Sequence, residues 1–126
     1  IQADVLSTQK GRRRPDIGLI NAGYTMDLQG NHQRIEVRSW AAELRMAEQF
    51  PFEWETDVWY TLKLRVDVDE TRARIRGKAW KRSEPEPADW TVTVDDPEPV
   101  REGSPGLLGY SPIDIFFDNI SVVENQ

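Results

Sequence analysis

The chain contains no cysteine and a single histidine, His32. The first absence excludes a disulfide framework, a cysteine zinc site and a thiol nucleophile together. The second excludes a multi-histidine metal centre and leaves a serine-histidine-aspartate triad only one base. No apolar run approaches the roughly 18 residues of a membrane-spanning helix, so no such span is expected. What remains is 126 residues with 38% hydrophobic and 30% charged side chains. That length is one domain's worth, expected to be a single β-sandwich over residues 1–126. The charged fraction exceeds the usual value of about 25%, which points to a polar surface around a core still able to fold.

The net charge of −6 is unevenly placed. Seven acids and one base fall between Glu84 and Glu102, and the rest of the chain holds fifteen of each sign. Five of the eight prolines lie between Pro85 and Pro105. Proline cannot donate to a sheet ladder, so residues of about 82–106 read as an acidic, extended loop segment. The balanced remainder carries no electrostatic footprint for nucleic acid. Lys10, Arg12, Arg13 and Arg14, beside Gly11 and Pro15, read as a solvated hairpin tip.

The dominant hydrophobic period is two, that of a strand. Ile35, Val37 and Ser39 alternate with Arg34, Glu36, Arg38 and Trp40; Leu62, Leu64, Val66 and Val68 alternate with Thr61, Lys63, Arg65 and Asp67. Ala73, Ile75, Gly77 and Ala79 alternate with Arg72, Arg74, Arg76, Lys78 and Trp80, and Asp69-Glu70-Thr71 predicts a hairpin turn before them. Trp90–Val94 and Ile113–Val123 continue the pattern, and 40–48 reads as further strand because Leu44 and Met46 alternate with Arg45 and Ala47. Eight to ten short strands of this kind predict an all-β, antiparallel two-sheet sandwich.

Several segments carry a resemblance. Pro15-Asp16-Ile17-Gly18-Leu19-Ile20, Gly30-Asn31-His32-Gln33-Arg34, Asp57-Val58-Trp59-Tyr60-Thr61, Arg76-Gly77-Lys78-Ala79-Trp80 before Glu84-Pro85-Glu86-Pro87, and Gly103-Ser104-Pro105-Gly106-Leu107 with Phe117-Asp118-Asn119-Ile120 resemble the concanavalin A-like lectin/glucanase, or laminin G-like, jelly roll. The version it is most similar to is appended to bacterial PQQ-binding-like β-propeller proteins. The resemblance implies an exported protein, extracellular or periplasmic, with two stacked antiparallel sheets and often glycan binding. Against that family the opening Ile1-Gln2-Ala3-Asp4-Val5 reads as a mid-domain strand. The expectation is therefore an open sheet edge near Ile1–Leu6 or Ile113–Val123, available for self-association.

The glucanase branch carries closely spaced carboxylates on one strand, flanking a glycosidic bond. No such motif occurs here, and Asp67, Asp69, Asp114 and Asp118 read as turn or capping acids, so no catalytic residue is assigned. Asp67-Val68-Asp69-Glu70 has calcium-like oxygen density but lacks the glycine and distal glutamate of an EF-hand loop. No cofactor or metal ligand is assigned, calcium entering only as an ion that laminin G-like folds often carry. Sugar rings stack on exposed aromatic faces while their hydroxyls take charged or amide partners. Trp40 and Trp80, on the same outward phase as Arg38, Arg76 and Lys78, together with Trp54 in its aromatic loop, form the expected binding surface for a polysaccharide or oligosaccharide. Trp90 is expected in the core. Three functions remain open: a non-catalytic glycan-binding module, a glycoside-active enzyme with acids from non-adjacent strands, and a protein-interaction module of a β-propeller protein.

Overall fold

A computed structural model of the chain describes residues 1–39 and 44–126. Ten strands run in the order β1 (Gln2–Ser7), β2 (Asp16–Asn21), β3 (Tyr24–Gln29), β4 (Arg34–Ser39), β5 (Ala47–Pro51), β6 (Trp59–Val68), β7 (Ala73–Lys81), β8 (Val92–Asp96), β9 (Gly106–Tyr110) and β10 (Ile115–Ser121). They make two five-stranded sheets, ordered β10-β1-β6-β7-β8 and β5-β4-β3-β2-β9, with every pairing antiparallel. No helix occurs among the described residues. The fold is thus the expected all-β, two-sheet sandwich.

The two-residue period explains the core. Leu62, Leu64, Val66 and Ile75 of the first sheet meet Ile17, Leu19, Met26, Leu28, Ile35 and Val37 of the second, and all are buried. Close approach of the sheets needs Gly77, because a Cβ there would stand 2.1 Å from the Met26 sulfur. Between β6 and β7 the predicted hairpin forms, and the Asp69 carboxylate accepts from the Thr71 and Arg72 amides at 2.8 and 2.9 Å, an Asx turn. Between β2 and β3 the two-residue turn Ala22-Gly23 has φ values of 51° and 85°. Such positive values suit the type I′ geometry that matches strand twist.

Two expectations are corrected, and one of the two alternative open edges is found. β1 is flanked by β10 and β6, so Ile1–Leu6 is not an open edge; β10 is. The strand expected over 40–48 begins only at Ala47, while Leu44–Met46 are outside any strand and 40–43 lie outside the described residues. Leu44 is exposed rather than inward, and Ser39 Oγ accepts from the Arg45 and Met46 amides. Trp90 is half-buried on the outside of the first sheet rather than in the core.

Candidate functional site

Arg76, Lys78 and Trp80 occupy the outer face of β7 in the first sheet, whereas Arg38 stands on β4 in the second. The expected surface joining all of them does not form, because the two strands belong to opposite layers. Trp40 lies outside the described residues. Trp54 is 4% exposed, meets Tyr60 edge-on with ring centroids 6.2 Å apart, and donates its indole N–H to the Gln29 carbonyl at 3.3 Å. It is a core residue with its polar atom satisfied, not a binding lip.

The aromatic that joins Arg76 and Lys78 is Trp90, whose ring centre lies 5.1 and 5.0 Å from their cationic centres. Those charges are engaged within the fold. Lys78 Nζ donates to Glu86 at 3.0 Å and to the Pro87 carbonyl at 2.6 Å, and Lys63 reaches the same Glu86 at 2.7 Å. Arg76 and Arg65 share Asp67 at 2.9 and 2.8 Å. Hydrogen bonds from their cationic partners hold the Glu86 and Asp67 carboxyls below the usual range. The cluster therefore fastens the acidic, proline-rich segment to the first sheet. Periodicity could not find Trp90 as the partner, because it arrives from a loop.

The outer face of the second sheet is organised differently. Register places three rows across its strands from β9 to β5: Tyr110, Asp16, Gln29, Arg34, Pro51; then Leu108, Gly18, Asp27, Glu36, Gln49; then Gly106, Ile20, Thr25, Arg38, Ala47. Polar side chains on this outward face are nonetheless buried: Thr25 at 0%, Asp27 at 1% and Gln29 at 6% exposure. They cover one another. Arg34 donates to Gln29 at 2.5 Å and to Gln49 at 3.2 Å, Gln49 to Glu36 at 2.8 Å, Arg38 to Glu36 at 3.1 Å and to Thr25 at 3.2 Å, and Gln29 to Asp27 at 3.1 Å. Asp27 Oδ1 has no hydrogen-bond donor among the described residues, and the Arg38 guanidinium stands 3.9 Å away. Burial pushes the Asp27 carboxyl up to about 6 despite Gln29 and Arg38, and burial likewise raises Asp16.

At its β2–β9 end this face opens. Tyr110, 79% exposed, stands opposite Asp16 and bounds a cleft of about 640 Å³ with Arg13, Arg14, Asn31 and Ser111. The arginines come from a tight turn closed by Lys10 and Arg13, which exchange backbone hydrogen bonds at 3.2 and 3.0 Å around Gly11 at φ 62°. That turn is held against the next one: the Arg14 amide donates to Asn31 Oδ1 at 3.1 Å, and the Gly30 amide to the Pro15 carbonyl at 3.1 Å. Gly30 permits the approach, since a Cβ there would lie 2.5 Å from the Arg14 Cβ. The one sequence signal for this cleft was the outward phase of Tyr110 between Gly109 and Ser111-Pro112. The arrangement offers a ring for stacking, a carboxylate, an amide and two arginines around one depression, while the Ser111 hydroxyl is engaged with the Ile113 backbone, donating to its carbonyl at 2.6 Å and accepting from its amide at 3.1 Å.

The chain matches no protein-family model, no curated protein and no solved structure.

Proposed function

We propose that this chain is a non-catalytic glycan-binding module of an exported bacterial protein, and that it holds its ligand in the Tyr110 cleft. The observation that carries the reading is an aromatic ring 79% exposed in a depression lined by Asp16, Asn31, Ser111 and arginine. An aromatic face meets the C–H side of a sugar ring, and planar polar groups satisfy its hydroxyls. The reading centres here rather than on Arg76, Lys78 and Trp80 because those cations already have partners within the fold. Binding is favoured over glycoside hydrolysis by the engagement of Glu36, whose two oxygens receive Arg38 and Gln49 beside the buried Asp27. The extracellular or periplasmic setting follows from the family resemblance.

Retention on a panel of soluble and insoluble polysaccharides, measured together with release of reducing ends, tests this. Retention without product is expected. Tyr110→Ala should weaken it by about 1 kcal/mol or more with little change in melting temperature, since the ring is solvent-exposed. Undiminished retention by that variant, or product release by the parent chain, overturns the reading.

A second property is carried by a separate observation. β9 has no charged residue and β10 only Asp118, and Leu107, Phe116 and Ile120 are exposed on these two edge strands. The edges β5 and β8 carry Glu48 with Pro51, and Asp95 with Asp96. Bare apolar edges pair with other strands. A second copy of this chain pairing at β10 would give a mass that rises with concentration and falls back in Ile120→Lys. A strictly monomeric mass at high concentration excludes it.

A further inference from the structure

Among the described residues, ten of the sixteen lysines and arginines make ion pairs, and Arg34 and Arg101 donate to neutral acceptors. The four left over are Lys10, Arg12, Arg13 and Arg14, all on the one turn that forms a wall of the Tyr110 cleft. In a chain of net charge −6, with acids in excess, a turn of four cations without ion-pair partners is a local reversal of sign. Like charges crowded on a turn repel one another, and a bound anion relieves that repulsion.

Resting on the glycan-binding reading above, we infer that the cleft takes an acidic polysaccharide, its ring against Tyr110 and its carboxylate or sulfate groups against the Arg13 and Arg14 wall. A guanidinium matches either anion with paired N–H donors. Lys10 and Arg12, farther out on the same turn, meet the charges of neighbouring sugar units and draw the polymer in from solution. Among the described residues the one acid lining the cleft is Asp16, across from Tyr110. Its role is with hydroxyl groups, which donate to it, while the anionic group is held by the arginines.

The test compares one neutral backbone with two charged derivatives: dextran, carboxymethyl-dextran and dextran sulfate, with polyglutamate as a sugar-free polyanion. Expected at low ionic strength is retention of at least one charged dextran at least about tenfold tighter than dextran, the advantage shrinking as salt shortens the screening length. Which derivative wins separates carboxylate from sulfate as the recognised group. The double variant Arg13→Gln/Arg14→Gln should lose that advantage and keep the parent's affinity for dextran. The exposed pair Lys10→Gln/Arg12→Gln should lose part of it. Equal retention of all three dextrans, abolished by Tyr110→Ala, overturns this inference and leaves the glycan-binding reading standing. Charged-dextran retention unaffected by both arginine substitutions also overturns it. Polyglutamate held as tightly as the charged dextrans, with no effect of Tyr110→Ala, overturns both, as does retention of no polymer at all.

Discussion

Asp96→Ala is expected to destabilise the fold by about 2 to 3 kcal/mol, the loss typical of removing a buried carboxylate from its hydrogen-bond donors and leaving a buried hydroxyl without its acceptor. The Asp96 side chain is 0% exposed, at the end of β8, and it ties three parts of the sandwich together. One oxygen accepts from the Tyr24 hydroxyl of the second sheet at 2.5 Å, and both oxygens accept from the Arg45 guanidinium, at 2.7 and 2.5 Å. The Glu98 amide donates to it as well, at 3.0 Å, while Tyr24 Oη accepts from the Val100 amide at 2.9 Å. Alanine would leave the Tyr24 hydroxyl buried without its acceptor and free the segment between 97 and 100. The Arg45 bond chiefly holds the Asp96 carboxyl down at about 2, below its ordinary 3.8. The folded state therefore releases this proton more readily than the unfolded one. The stability that Asp96 supplies is complete above about pH 4 and is lost as pH falls from there through 2. Denaturant unfolding of parent and variant should show a gap that is wide at pH 7 and narrows below pH 4. A gap under about 1 kcal/mol at pH 7 would refute the role assigned to Asp96.

Asp27→Asn is expected to act in the opposite sense and to stabilise the protein at neutral pH by on the order of 2 to 3 kcal/mol, from the rise of its pKa from 3.8 to about 6. Burial is the main cause, and Glu36 and Asp16 add to it while Gln29 and Arg38 act against it. Here the folded state is the better proton binder. Below about pH 4 the carboxyl is neutral in both states and costs nothing; as pH rises through 6 the buried form must ionise, and stability declines. Asparagine keeps the size and an acceptor for the Gln29 amide without the charge. The variant should match the parent near pH 4 and exceed it increasingly up to about pH 7. A difference that stays constant across that window would show that Asp27 ionises freely in the fold.

Alternation made β4, β6 and β7 readable in advance, because an inward row of Leu62, Leu64 and Val66 can be satisfied in only one phase. The β6–β7 turn was readable for a similar local reason, since Asp69 bonds its own neighbours. Outward polarity was a poorer guide. Asp27 lies on the outward phase of β3 and is more buried than Ala79 on the inward phase of β7, because Gln29 of its own strand and Arg38 of β4 come up against it. Trp54 was ambiguous in its aromatic loop and became core only where Gln29 and Tyr60 came to meet it.

The sequence by itself determined the strand period, the all-β class, the hairpin at Asp69 and the acidic, proline-rich segment, all of which depend on residues a few positions apart. Only the tertiary structure decided which strands share a sheet. β1 joins the neighbourhoods of residues 59–63 and 115–121, and Arg38 parts from Arg76 and Lys78 into the opposite layer. The candidate site belongs to this second group. Arg13, Asp16, Asn31 and Tyr110 come together through pairing of β2 with β3 and β9. Pairing across such separations is chosen by how all ten strands bury their apolar faces at once, and a local period carries no record of that choice.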